Sequence, residues 1–443
     1  MKLAIFVLLS APLCAQSPLS LKEAVSLALD KHPSMEAAGA EVKAAEIRVR
    51  EARSGYLPKL NYSESWQRSD NPVFVFSSLL TQHQFSEQNF AIGPLNRPDA
   101  MNNFQSQVVL DQTVWDAGTT GKQVRSAELG QKMAGEEQRH ARMELIAGVV
   151  RAYNGLALSL ESLKVAQEAV RSAEADLNRA DATRAAGMST DADVLAIRVH
   201  LAAMREQEIR RTYDTDIARA TLNDALGLPL DTPHDLTTPL TPLAAVETPL
   251  PQEEESARQA RPEARQVRLS ADVAQLRKET AHAALLPQVS FRVMFEADRQ
   301  RFIDRGGANW LAAASLRWNL FNGFADKARI DAAAQGIVRA RAQQRQIESA
   351  VSLQVRSAYL NLKSAQERIA LAETTVAQAE ENLRIVKNRY DNGLNNVTDL
   401  LRSETALTEA RVRRLAAVHD QRLASAALEL AAGTLSTDSK VLN

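Results

Sequence analysis

Hydrophobic positions along this chain follow two different periods. From Thr119 to Ala186 no proline interrupts the sequence, and Ala166, Val170, Ala173, Leu177 and Ala180 alternate spacings of four and three. Ala372, Val376, Ala379, Leu383 and Val386 repeat that spacing further on. This is a 3.5-residue seam, the signature of helices that coil around neighbours, and its alanines let backbones approach closely. The stretch predicts one helix of about 68 residues, roughly 100 Å long. Leu21 to Ala52 predicts another helix, opened by Ser20 with Glu23 three residues later as a capping box. Asp191 to Leu226 predicts a third, roughly 54 Å long. End to end, the first and third together match the second and could run alongside it.

Elsewhere the period is two. Val289, Phe291, Val293, Phe295 and Ala297 alternate with Ser290, Arg292, Met294 and Glu296. Trp310, Ala312, Ala314, Leu316, Trp318 and Leu320 form a second such run. Leu60, Tyr62 and Trp66, then Phe104, Val108, Leu110 and Val114, form two more. Period two with aromatics near the ends fits membrane β-barrel strands, and equally an amphipathic hairpin on a soluble core. Glu64 and Gln112 fall on the apolar face, against the barrel reading.

The chain also contains itself twice. Pro33 and Leu57-Pro58 recur as Pro262 and Leu286-Pro287. Trp115-Asp116 recurs as Phe321-Asn322, Tyr153 as Tyr359, Leu177 as Leu383, Gly187 as Gly393, Asp193 as Asp399 and Gly227 as Gly433. Each copy reads as helix, strand, strand, helix, helix. The first repeat spans 16–227, with strands near 57–70 and 103–116 and helices near 21–55, 119–186 and 191–226. The second spans 262–433, with strands near 286–298 and 309–321 and helices near 262–284, 325–392 and 397–431. Residues 228–261 hold little periodicity and most of a run of seven among the 15 prolines, so they predict a linker or small irregular layer. A longer connection, 71–102, separates the first pair of strands; 434–443 form a tail.

Composition narrows the function. Lys+Arg 53 against Asp+Glu 54 gives a net charge of −1, which speaks against a nucleic-acid binder. One cysteine excludes an intrachain disulfide framework, and no C-x-x-C exists for zinc or redox work. The seven histidines are scattered without an H-E-x-x-H, and no G-x-S-x-G, P-loop or G-x-G-x-x-G occurs, so no enzyme, metal site or cofactor is expected. Residues 1–15 read as a short secretory signal cut after Ala15. Cys14 raises lipid modification, although Leu13 before it is not small. No run of 18 apolar residues supplies a transmembrane helix.

Four strands cannot close a barrel, and an open sheet edge in lipid is costly, so several chains must pool their strands. In this layout the chain resembles the TolC family of outer-membrane efflux channels over essentially its whole mature length. The resemblance rests on the duplicated Leu-Pro strand starts and on the strand ends Trp115-Asp116-Ala117-Gly118 and Phe321-Asn322-Gly323. It rests also on the helix–helix turns running from Ala186 to Leu195 and from Asn392 to Leu401. It implies an α+β membrane protein: a homotrimer whose 12-stranded β-barrel sits in outer-membrane lipid of a Gram-negative bacterium. A long periplasmic α-helical coiled-coil barrel with a mixed α/β equatorial region continues it. It further implies a passive export conduit working with a periplasmic adaptor and an inner-membrane transporter of RND or ABC type. An exported coiled-coil structural or adhesin-like protein is the alternative, and it lacks the barrel.

The resemblance assigns site residues too. Gly187, Met188, Gly393 and Leu394 would lie at the periplasmic tip where the adaptor docks. Asp193, Tyr390 and Asp399 match positions of the periplasmic gate. Asn395 stands where a gate-locking arginine is expected, and Arg402 where a second aspartate ring often lies. The spacing of three puts Asp399 and Arg402 on one helix face. The expectation is a gate locked by Asp399–Arg402 contacts, within or between subunits.

Overall fold

A computed structural model of the chain describes residues 17–244 and 248–443. The leader expected at 1–15, with Cys14, lies outside the described residues. The chain divides into two compact units, one of residues 1–41, 135–267 and 344–443, the other of 42–134 and 268–343.

The second unit holds a four-stranded antiparallel sheet. Its strands are β2 (Lys59–Ser69), β3 (Met101–Trp115), β5 (Gln288–Arg299) and β6 (Gly307–Arg317), in the order β2-β3-β5-β6. The two sequence copies therefore meet at β3 and β5, with Val108 opposite Phe295 and Leu110 opposite Val293. One face carries Leu60, Tyr62, Trp66, Phe295, Trp310 and Leu316, all exposed. The other carries Asn103, Gln105, Gln107, Glu296 and Asp298. The alternation read from sequence is thus the two faces of one sheet. Glu64, the charge on the apolar face, is met there: Arg299 pairs with it at 2.9 Å, and Tyr62 and Ser106 donate hydrogen bonds to it. Strands β2 and β6 end the sheet with unpaired edges.

The connection at 71–102 is more structured than expected. It forms α3 (Pro72–Thr81), a 3₁₀ turn (Glu87–Phe90) and α4 (Ile92–Asn96). Asn71 caps α3, its side chain accepting from the amides of Val73 and Phe74, and Pro72 follows in the first turn. Gln82, 2% exposed, ties this segment to the polar sheet face by donating to the Asn102 carbonyl and to Asn103 Oδ1.

The first unit is helical. The helix expected over 21–52 is broken: α1 (Leu21–Lys31) ends at His32, and α2 (Pro33–Arg53) begins afresh. The cause is Pro33, which pushes the residue before it to extended backbone, here φ −72° and ψ 129° at His32. The capping box of Ser20 and Glu23 is formed as read. The same break recurs in the expected linker 228–261, which is not irregular throughout. It contains β4 (His234–Leu236) and α7 (Leu250–Ala260), and α7 stops at Arg261 before α8 (Pro262–Ala283). Helix α7 stands 229 positions after α1, so the second copy starts near residue 250. A short strand β1 (Ser17–Leu19) pairs parallel with β4.

Helices α5 (Thr119–Ala185), α6 (Asp191–Leu226), α9 (Ala325–Asp391) and α10 (Val397–Ala432) match the sequence reading to within one residue at each end. Of the first seam, Ala166, Val170, Ala173 and Ala180 are buried; the second seam is half-buried. The largest core joins Leu21, Ile146, Val150, Tyr153, Leu156, Leu222 and Leu226. Tyr153 donates to the Leu19 carbonyl at 2.8 Å and accepts from the Thr238 amide at 3.0 Å, fixing the β1–β4 pair to α5.

Candidate functional site at the helix turns

Two helix reversals, α5 to α6 and α9 to α10, share one construction. Gly187 has φ 74° and Gly393 has φ 72°. In each, the next amide reaches back to close the last helical turn: Met188 to the Thr183 carbonyl at 2.9 Å, Leu394 to the Arg389 carbonyl at 2.8 Å. A Cβ would be strained at that φ, which is why glycine stands at both turns. The residues after them, Met188 and Leu394, are 77% and 69% exposed. These are two apolar side chains held out on hydrogen-bonded turns.

The next helices are capped in parallel ways. Thr190 caps α6, with the Asp193 amide donating to Thr190 Oγ1 and the Thr190 amide and hydroxyl donating to Asp193 Oδ2. The Thr190 hydroxyl, with help from the Thr190 amide and Ser189, holds the Asp193 carboxyl below the usual carboxylate range, against a modest burial effect. Asn396 caps α10 by accepting from the Asp399 amide at 2.9 Å. Both aspartates thus occupy the third position of a helix, where a carboxylate also favours the N-terminal dipole.

Between the two turns lies a cleft of about 670 Å³ lined by Asp193, Tyr390, Asp391, Asn395, Arg179 and Met188, among others. Tyr390 packs against a small buried cluster of Ala180, Val194, Ile197 and Val397. Burial pushes its hydroxyl pKa up, and the carboxylates of Asp193, Asp176 and Asp391 push the same way. Arg179 of α5 pairs with Asp391 of α9 at 2.9 Å.

The structure brings Asp193, Tyr390 and Asn395 together with both glycine turns. It does not bring Asp399 and Arg402 into that cleft. Among the described residues these two form no ion pair within the chain. Arg402 instead lies exposed along an apolar groove with Leu195, Val199, Leu401 and Thr405. Asp399 gives its backbone amide to the Asn396 cap, and Arg402 is exposed three residues further along the same helix. Sequence reading missed the Arg179–Asp391 pair, because two exposed charges 212 residues apart carry no local pattern. The repeat offered no signal either, since Arg179 corresponds to Ile385 and Asp391 to Ala185 in the other copy.

A second charged group lies deeper between the same helices. Lys387 of α9 pairs with Asp176 of α5 at 3.0 Å, and His200 of α6 stands 3.6 Å from Glu404 of α10.

Comparison with known proteins then places the chain. The family model described as outer membrane efflux protein matches residues 24–228 and 255–434, one segment for each copy of the repeat. Protein CyaE of Bordetella pertussis is 27% identical over 421 residues, covering 94% of this chain and 84% of that protein. Outer membrane protein OprJ of Pseudomonas aeruginosa is 24% identical, covering 85% of this chain and 76% of that protein. The solved CmeC outer membrane channel of Campylobacter jejuni superposes with a TM-score of 0.78 at 16% identity, over 95% of this chain and 87% of that one. With the family model covering both repeats and the fold shared with a solved outer-membrane channel, this chain belongs to the outer membrane efflux protein family.

Proposed function

We propose that this chain is one of three identical subunits of an outer-membrane channel, a passive conduit for export with no catalytic role. The observation that carries the reading is the sheet. Four strands present one apolar face, yet β2 and β6 end it with unpaired backbone groups. In lipid each such group costs several kcal/mol, and closure removes the edges. Three copies supply 12 strands, enough for one closed barrel. Exposed apolar rows on the helices support the same assembly: Leu195 and Val199, then Ile209, Tyr213 and Ile217 on α6, are each more than half exposed in the single chain. The leader expected at 1–15 serves export of the chain from the cytoplasm.

The channel works as the outer part of a tripartite efflux or type I secretion system. The turns bearing Gly187, Met188, Gly393 and Leu394 dock a periplasmic adaptor, which links the channel to an inner-membrane transporter. The periplasmic gate is built on Asp193, Tyr390 and Asn395, with Asp399–Arg402 contacts made between subunits, since the two form no pair within the chain. Native mass measurement of the detergent-solubilised protein tests the assembly. Three chains per particle, dissociating only on heating, support it. A stable monomer with intact strand content contradicts it and favours the exported coiled-coil alternative.

A further inference from the structure

Between α5, α6, α9 and α10 lies a buried carboxyl pair with a composition that a plain coiled-coil seam does not need. Asp176 is 3% exposed and Glu404 7% exposed. Asp176 Oδ1 accepts from Lys387 Nζ at 3.0 Å, and Glu404 Oε1 accepts from Ser172 Oγ at 3.0 Å. The other oxygens, Asp176 Oδ2 and Glu404 Oε2, are buried with no donor. Two buried carboxylates against one ammonium would leave an uncompensated charge, which a protein interior avoids by taking up a proton.

The remaining charged groups around the pair do not supply that compensation. His200 of α6, 3.6 Å from Glu404 Oε2, is kept neutral because burial lowers its pKa more than the Asp176 carboxylate raises it. Arg411 of α10 lines the same small cleft, but it is engaged by Glu168 of α5 at 3.2 Å and Glu380 of α9 at 2.9 Å. One proton held between Asp176 and Glu404 gives both orphan oxygens a partner and leaves a single negative charge to match Lys387.

We propose that Asp176 and Glu404 share one proton in the folded protein, and that losing it at alkaline pH loosens the junction of the α5–α6 and α9–α10 helix pairs. Burial and the hydrogen bond to Asp176 push Glu404 up to about 8 from an ordinary 4.5. Its folded pKa lies above its unfolded one, so its contribution is complete below the ordinary value and is lost as pH rises through about 8. His200 acts in the opposite sense, since a lowered folded pKa withdraws stability as pH falls. The helix bundle is therefore sensitive at its alkaline side through the carboxyl pair and at its acid side through the histidine. This rests on helix packing alone, so its failure would leave the channel reading intact.

The test uses the full chain in detergent. Infrared pH titration should reveal a protonated carboxyl C=O band at neutral pH that disappears with a midpoint near pH 8 and is absent from Glu404→Gln. Asp176→Asn removes the like charge, so the band should titrate at least about one pH unit lower. Thermal midpoints should fall by about 3 °C or more between about pH 6 and about pH 9 in the parent, and stay level in Glu404→Gln. The inference is overturned if the band is missing from the parent or survives in Glu404→Gln. An alkaline drop of the same size in parent and Glu404→Gln overturns it as well.

Discussion

Arg179 and Asp391 are joined by an ion pair at 2.9 Å that ties the end of α5 to the end of α9 beside the two turn glycines. Both side chains are more than a third exposed, so the pair contributes little to stability, about 0.2–1 kcal/mol. Its value lies in position, since both residues line the cleft that holds Asp193 and Tyr390. Arg179→Ala is expected to leave the thermal midpoint within a few degrees of the parent and to raise resting conductance in planar bilayers. Arg402→Ala, which breaks no ion pair within the chain, is expected to raise it less. Equal conductance of Arg179→Ala and parent at low and high salt would remove this pair from the gate.

Gly393 offers a sharper separation of folding from docking. A Cβ there meets nothing within 4 Å, so the first side-chain carbon of Gly393→Leu has open space. The left-handed backbone, φ 72°, costs a non-glycine residue about 1–2 kcal/mol. That is too little to unfold two packed helices of this length. Trimers should form and reach the outer membrane, while export in cells is lost if the turn docks the adaptor as proposed. Normal export by correctly inserted Gly393→Leu trimers would refute the docking role.

The duplicated tyrosines differ in worth. Tyr153 is 1% exposed and its hydroxyl makes two hydrogen bonds to the β1–β4 region, whereas Tyr359 at the matching place is only half-buried. Tyr153→Phe removes the hydroxyl and strands the Thr238 amide, a loss of about 1–3 kcal/mol. Tyr359→Phe is expected to fall within about 0.5 kcal/mol of the parent. Urea unfolding of the two variants checks the ranking, and equal losses would show that the first copy's hydroxyl is not specially used.

The segment Pro72 to Asp99 makes a prediction about the outer end of the pore. It is held to the polar face of the sheet through Gln82, and Asn309 Nδ2 donates to the Thr81 carbonyl at 3.2 Å. The polar face is the one a barrel turns to its lumen. The second copy joins its strands β5 and β6 with only residues 300–306, so a short link can replace this one. Replacing Pro72–Asp99 by a short Gly-Ser link should preserve trimers and increase single-channel conductance. Unchanged conductance would place the segment away from the conducting path.

Much of this architecture was legible in the sequence because its two periods are long and clean. The seam of Ala166, Val170, Ala173 and Leu177 fixed a helix far longer than any single packing argument needs, and repetition at Ala372 to Val386 confirmed its register. The strands were legible through alternation from Val289 to Ala297, because an unbroken period of two admits no helix. What was missed has local causes. Pro33 acts on the residue before it, so a pattern spanning it looked continuous while His32 was already extended. Helix α7 was hidden by the prolines at 249 and 251, which open a helix as readily as they end one. The site was legible only in part. The turn glycines announce themselves by repetition. The pairing of Asp176 with Lys387, or of Arg179 with Asp391, depends on which helix faces meet, and a sequence of exposed-looking charges does not specify that.

The central claim is that several copies of this chain close one water-filled pore, and single-channel recording on the purified protein in planar lipid bilayers tests it most directly. Discrete, uniform conductance steps are predicted, with larger steps for the Arg179→Ala variant. An absence of any steps from protein that retains its strand content and its oligomeric mass would contradict the account.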